Sequence, residues 1–426
     1  MTIFLRCQSY ISIALVIIQF GVASCQCSAN NANIVYKESF EVSSDSIEID
    51  FSIYKKNDDF IITDTIDLQW KTLYLPADIS LIMRNGLFKN GCIVGNNTWL
   101  KYKNAVLDSV HIKGTWLVPR ITTQMFKDLS YDNSLKDVFA LANPQIRNRI
   151  HIEKGIYQVT ATQKFSRCLS VVSNTNMTID GTIVLTSNNL TGYSILNISG
   201  NNIDVSGKGC IIGDKFTHKG TEGEWGMGVF ISGGENISVK GLNIENCWGD
   251  CIYIRKNAKD VVIENCTMDN GRRQGISIIS AQNVYVRKCK IENIGGTNPG
   301  YAIDVEPNQG DTVKYVKIEN VIINNCWGGI ECNGNAKESM IERLDIKKCS
   351  VSKIKRWPLR FIRAKSISVE DNRIDYYRKP EVIFFSNIDD AYVGNITING
   401  RSIIRKDNKT SIITSDNVKQ LRINNQ

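Results

Sequence analysis

From Asn236 onward, apolar residues alternate with polar ones in short runs, and the runs recur with a period of about 24 residues. "NISVKGLNIENCWGDCIYIRKNAK" begins at Asn236, "DVVIENCTMDNGRRQGISIISAQ" at Asp260, "NVYVRKCKIENIGGTNPGYAIDVEPN" at Asn283 and "KYVKIENVIINNCWGGIECNGN" at Lys314. Weaker copies start near Arg343 and Ser366, and upstream "NNIDVSGKGCIIGD" and "GMGVFISGG" keep the same rhythm. Each copy holds three short strand-like runs separated by Asn, Gly or Asp. Runs this short make no stable hairpin alone, and nothing of helical length separates them. Stacking the copies solves both problems, because each strand then pairs in parallel with its counterpart one coil away and alternate side chains fill a continuous interior. The pattern predicts an all-β chain: a single-stranded right-handed parallel β-helix, or solenoid.

An earlier block, "TLYLPADISLIMRNGLFKNGCIVGNNTWLKYKNAVLDSVHIKGTWLVPRI", shows the same alternation and reads as a small β-rich N-terminal module. "TTQMFKDLS" and "NSLKDVFALANPQIRN" predict one or two short helices near residues 122 to 148. The expected organisation is an export signal over 1–24, the entry module over 25–118, a connecting segment with a short helix over 119–149, and the β-helix over 150–426.

Phase along the coils predicts a site. In "CIYI", "GISI", "AIDV" and "GIEC" the residues Ile252, Ile276, Ile303 and Ile330 share one register and point inward. Their neighbours Tyr253, Ser277, Asp304 and Glu331 then point outward as a solvent-facing column. Coils lie about 4.8 Å apart, so Asp304 and Glu331 are neighbours, and Glu306 sits on the same face roughly 6.5 to 7 Å along the strand from Asp304. Carboxyls that close raise at least one pKa and favour a shared proton, as a general acid beside a general base requires. The turn entering this sheet adds Asp250, Arg272, Arg273 and Gln274, and Trp248 and Trp327 at equivalent turns are candidates to stack on sugar rings. A groove so lined suits an extended, hydroxyl-rich or acidic chain, with Arg reading carboxylate or sulfate.

Composition narrows the choice further. With 42% hydrophobic and 22% charged residues the chain is not a disordered one. The formal charge of +8 comes from Lys and Arg scattered among acids, with no basic stripe interleaved with aromatics, so no nucleic-acid partner is expected. Arg6, the apolar run "ISIALVIIQF" and the small residues of "GVASC" read as an export signal too short to span a membrane. Val22-Ala23-Ser24-Cys25 resembles the lipobox of bacterial lipoproteins, which makes Cys25 a lipidation candidate; plain cleavage at Ser24 or after Cys27 is the alternative. Either way an extracytoplasmic protein is expected, secreted or lipid-anchored at the cell envelope, with that anchor its one membrane link. Thirteen cysteines in an exported chain suggest disulfides, but Cys266, Cys289 and Cys349 recur at one repeat position beside Leu242 and Val321, as a buried apolar ladder would. With 3 His and no CxxC pair, no metal ligand set is assigned.

The segment "RIHIEKGIYQVTATQKFSRCLSVVSNTNMTIDGTI" resembles the start of the pectate-lyase-like superfamily of right-handed parallel β-helices, a resemblance that extends over about residues 60 to 400. "GDCIYI" is similar to the Gly-Asp-Asp-Cys-Ile motif of the polygalacturonase and rhamnogalacturonase family of inverting glycosidases, and "QGISI" stands where that family has Gly-His-Gly-Ile-Ser. The resemblance implies a catalytic carboxylate at Asp250. Gly249 replaces the first Asp of the pair, Gln274 replaces the His, and Met227 stands where a further Asp is due. "RRQGISI" followed by "AIDVEPN" looks more like uncharacterised β-helix proteins of gut-type bacteria and their phages. Pectate-lyase-like relatives often recruit calcium through acidic residues, so the resemblance makes Ca2+ possible at Asp304, Glu306 and Glu331.

The expected function is cleavage of a polysaccharide, one bearing acidic groups, by hydrolysis or by β-elimination. Asp250, Asp304, Glu306 and Arg273 are the catalytic candidates, and Trp248, Tyr253, Arg272, Gln274, Glu331 and Trp327 the substrate-binding ones. The separation predicted for Asp304 and Glu306 falls near the inverting range of about 6.5 to 9.5 Å. The alternative is a surface glycan-binding or adhesive β-helix without turnover.

Overall fold

A computed structural model of the chain describes residues 59–130, 134–378, 381–402 and 412–424, with residue 56 and the backbone of four short strands at 3–9, 12–18, 42–43 and 46–47. The expected export signal lies partly, and Cys25 wholly, outside the described residues. The chain divides into two compact units, Met1–Glu153 and Lys154–Gln426.

In the first unit short parallel strands stack about twenty residues apart in sequence: Asp59–Ile62 on Ser80–Met83, Thr72–Tyr74 on part of Leu87–Lys101, and Leu107–Leu117 on the same long strand. Ile79, Ile93, Val110 and Trp116 are buried between them. The helical expectation shrinks to a 3-10 turn, Thr123–Met125, and one α-helix, Leu135–Ala140, followed closely by Asn143 and Pro144. Buried Asp137 of that helix accepts a 2.8 Å hydrogen bond from the Ile112 backbone N–H.

The second unit is a parallel β-helix. One coil consists of Ile252–Arg255, Ala258–Glu264 and Thr267–Asp269, and each strand pairs in parallel with its counterparts in the coils before and after. Near the C-terminal end two walls merge into the twelve-residue strands Leu359–Glu370 and Ile383–Gly394. Asn turns the corners: Asn246, Asn270, Asn293 and Asn325 sit at equivalent places with φ of 57°, 57°, 57° and 54°. Asn tolerates this left-handed region, and its amide donates to the equivalent Asn one coil back, Asn270 to Asn246 at 2.8 Å and Asn325 to Asn293 at 2.7 Å.

Inside, Leu196, Val229, Ile252, Ile276, Ile303, Ile330, Leu359 and Ile383 form a single file with 0% exposure. The predicted ladder of Leu242, Cys266, Cys289, Val321 and Cys349 runs down another corner, each member at most 2% exposed. Cys266 and Cys289 also donate weakly to the Val239 and Ile263 carbonyls one coil back. The cysteines from Cys92 to Cys349 are free thiols.

Candidate functional site

The predicted register holds. Tyr253 pairs with Ser277, Ser277 with Asp304, and Asp304 with Glu331, and the column extends to Phe230 on one side and to Arg360 and Phe384 on the other. It points out of the solenoid, yet its centre is not solvent-facing as expected. Ser277, Asp304 and Glu331 are 1%, 1% and 2% exposed because their polar ends are covered by one another and by flanking side chains. Ser277 donates to Asp250 Oδ2 at 2.7 Å, Gln274 Nε2 donates to Asp304 Oδ2, and Arg360 donates to Glu331 Oε1.

Asp250 and Arg273 meet at this cluster: Arg273 Nη1 lies 3.0 Å from Asp250 Oδ2. Glu224 approaches the other side of the guanidinium at 3.8 Å. Burial works against the Arg273 charge, but Asp250, Glu224, Asp304 and Glu306 outweigh it and hold its pKa above the ordinary value. Burial raises the Asp250 carboxyl, opposed by Arg273. Burial also raises Asp304 well above the carboxylate range, reinforced by Glu306 and Glu331. Burial raises the Glu306 carboxyl too, opposed by Arg273, and its Oε1 accepts a 3.3 Å hydrogen bond from Asn333 Nδ2. Glu331 is pushed up to about 7 by burial against the pull of Arg360.

Several candidate contacts serve the scaffold instead. Trp248 is 8% exposed, its ring stacked on His218 at 3.9 Å with the Arg272 guanidinium 3.8 Å from its centre, so no sugar reaches either face. Arg272 donates to the carbonyls of Gly223 at 2.7 Å and Thr221 at 3.3 Å. Gln274 is fully buried, its carbonyl oxygen taking the Tyr301 N–H at 2.8 Å. Trp327 lies under Arg356 at 4.8 Å, against Gly295 and Gly300. Asp304, Glu306 and Glu331 do not form a calcium cage: among the described residues no group of three or more His, Cys, Asp or Glu is arranged to hold a metal ion.

Sequence reasoning missed Glu224, Arg360, Asn333 and two aromatic pairs. Phe230 and half-buried Tyr253 meet edge to face at 5.4 Å, and Trp357 and Phe384 lie at 5.3 Å beyond Arg360. Continuing the register two coils would have found Arg360 and Phe384. Glu224 ends the irregular stretch after Ile212, where no periodicity points to it. A separate cleft of about 690 Å³ in the first unit, lined by Lys101, Tyr102, Lys103 and Arg120, holds none of the candidate residues.

The family model described as a right-handed β-helix region matches residues 181–343, which span most of the coils that build the site. The uncharacterized protein YclG of Bacillus subtilis is 29% identical over 201 residues, 40% of this chain and 34% of that one. The SPbeta prophage-derived uncharacterized protein YorA of the same organism is 27% identical over 182 residues, 37% and 31% of the two chains. This chain thus spans about a third of the length of the curated relatives it matches. Among solved structures, a hyperthermoactive exopolygalacturonase from Thermotoga maritima aligns with a TM-score of 0.45 and 13% identity, covering 67% of this chain and 92% of that one. The second unit is a right-handed parallel β-helix.

Proposed function

We propose that the chain is an extracytoplasmic carbohydrate-active β-helix protein that cleaves a polysaccharide laid along the wall that carries Tyr253, Ser277, Asp304 and Glu331. The observation that carries this reading is the gathering of the Asp304, Glu306 and Glu331 carboxyls near Arg273, flanked along one file by aromatic pairs. From Tyr253 to Phe384 the file rises five coils, about 24 Å, enough for a run of several sugar units. Aromatic faces suit the apolar faces of sugars, and the raised carboxyls suit protonation of a leaving oxygen. Glu306 is the partly exposed carboxyl and so the one within reach of substrate. Asp250 fixes Arg273 in place. Hydrolysis is favoured over β-elimination, because the arginines that elimination would need to neutralise a uronate already have partners here.

A second reading, glycan binding without turnover, draws on one observation: Asp250 and Asp304 are 0% and 1% exposed. Purified protein incubated with a glycan panel, read both for new reducing ends and for the near-ultraviolet absorbance of an unsaturated product, separates the readings. Hydrolysis yields reducing ends alone, abolished by Glu306→Gln with the fold intact. Binding to a glycan with neither product signal would discard the enzyme and leave the binding module.

A further inference from the structure

We infer that the open cleft of the first unit is a binding site for an acidic sugar, one bearing a carboxylate or a sulfate. The sequence points to arginines as readers of such groups, but around the acid cluster Arg272, Arg273 and Arg360 already have partners. Free cations stand in this cleft instead. It shares no residue with the acid cluster, and a ligand held here need not be one the chain cleaves.

The cleft holds about 690 Å³, within the range of about 300–1,000 Å³ usual for small-ligand sites. Its lining brings three cations, Lys101, Lys103 and Arg120, and among the described residues no carboxylate. Lys103 and Arg120 have no ion-pair partner among the described residues, while Lys101 has Asp59 at 3.6 Å, both side chains being more than a third exposed. Glu153 lies near enough to act on Tyr102, but its carboxylate is taken up by the scaffold. The Thr122 hydroxyl donates to its Oε1, the Thr123 N–H donates to Oε2 at 3.0 Å, and His151 Nδ1 lies 3.3 Å from Oε1. A further cation deepens the imbalance. Arg120, in the strand Arg120–Thr122, stands directly opposite Arg149 of Asn148–Ile152, both exposed on the face away from the buried Ile121 and Ile150. Like charges directly opposite on paired strands repel, and among the described residues no carboxylate relieves either guanidinium. A bound anion supplies the missing charge, and a carboxylate or sulfate matches the guanidinium fork.

The rest of the lining fits a hydroxyl-bearing ring better than a bare ion. Asn104 and Gln124 present side-chain amides that can both donate and accept, and among the described residues neither amide has a hydrogen-bond partner. Tyr102 and Pro119 give an apolar wall for a ring face, beside buried Leu100. The Tyr102 hydroxyl donates to the Arg120 carbonyl at 2.9 Å, which ties the 102–105 segment to the strand that carries Arg120. Anionic group, hydroxyls and ring face together describe a uronate or a sulfated sugar. A nucleic acid would call for a longer basic surface with several stacking aromatics, and Tyr102 is the one aromatic among the described lining residues.

The test is titration calorimetry of the full chain, at low and high salt, with an oligogalacturonate, a sulfated chondroitin oligosaccharide, a neutral gluco-oligomer and a single-stranded oligonucleotide. At least one of the two acidic oligosaccharides is expected to bind, more weakly at high salt, and the neutral one not measurably. Lys103→Ala combined with Arg120→Ala is expected to lower that affinity about tenfold or more. Both residues are exposed, so the double variant is expected to fold, and its unfolding midpoint is checked alongside. Glu306→Gln is expected to leave the affinity unchanged. Unchanged binding in the double variant, or a loss in Glu306→Gln, overturns the cleft as the site. Equal or tighter binding of the neutral oligomer overturns the anionic ligand, and tighter binding of the oligonucleotide overturns the sugar. Binding of neither acidic oligosaccharide by the folded protein overturns the site altogether, whereas new reducing ends from any glycan, formed equally by the double variant, leave the cleavage reading standing.

Discussion

Arg273 Nη1 lies 3.0 Å from Asp250 Oδ2, and the carboxylate it meets is wholly buried. Two ions taken out of water attract strongly but have each lost their hydration, so the pair is worth less than the cost of breaking it from one side. Arg273→Met leaves Asp250 without its cation and is expected to cost about 3–5 kcal/mol in urea unfolding. Asp250→Asn combined with Arg273→Met removes both charges and recovers much of that loss. A single Arg273→Met variant as stable as the parent would mean that the pair is not closed as described.

Glu331 gives the protein a pH signature. Its carboxyl is pushed up to about 7 from an ordinary 4.5, chiefly by burial, with Arg360 pulling the other way. A carboxyl whose pKa is higher folded than unfolded binds its proton more tightly when folded. Its contribution is therefore complete below about 4.5 and is lost as pH rises through about 7. Asp304 is shifted in the same direction. Thermal unfolding midpoints are expected to fall between mildly acidic and mildly alkaline buffer by an amount on the order of a few kcal/mol in stability. Glu331→Gln should flatten that slope, and a parent whose midpoint rises over this range would refute the assignment.

The fold was legible in the sequence because a solenoid writes its contacts at short range. The same inward phase recurs in "CIYI", "GISI", "AIDV" and "GIEC", so the register of Ile252, Ile276, Ile303 and Ile330 follows from alternation alone. The outward column followed from the same parity and brought Asp304, Glu331, Asp250 and Arg273 together. What parity cannot supply is side-chain reach and cover. It could not tell that Trp248 is sandwiched between His218 and Arg272, or that Glu224 arrives from an irregular segment. Those facts depend on contacts across gaps of uneven length, where the repeat carries no information.

Packing in the inner file can be tested against a neighbour of the same chemistry. Ile303 is 0% exposed in the central file, whereas Ile322 points out of another wall and is 51% exposed. Ile303→Ala opens a cavity between coils that have little freedom to collapse, and is expected to cost about 2–5 kcal/mol. Ile322→Ala removes the same atoms from a place already in water and should stay within about 0.5 kcal/mol. Denaturant unfolding of both variants reads the difference, and equal losses would contradict the inward register.

The segment that ends at Glu224 is held by a stack of three side chains. Asp214 accepts from His218 Nδ1 at 2.8 Å, the His218 ring lies on one face of Trp248 at 3.9 Å, and Arg272 covers the other face at 3.8 Å while gripping the Gly223 and Thr221 carbonyls. Trp248 Nε1 adds a 3.4 Å bond to Glu222 O. A planar guanidinium can stack on indole and reach two carbonyls at once, which an ammonium cannot do, so Arg272→Lys should loosen the strap although the charge is kept. The expected loss in global stability is about 1–2 kcal/mol, since the coils beneath pair through their own backbone. The larger effect is local: limited proteolysis should cut the variant between Asp214 and Glu224 several-fold faster than the parent, while fragments of the coils stay resistant. If the variant and parent are cut there at the same rate, the strap is fixed by something other than this stack, and Glu224 owes its position beside Arg273 to other contacts.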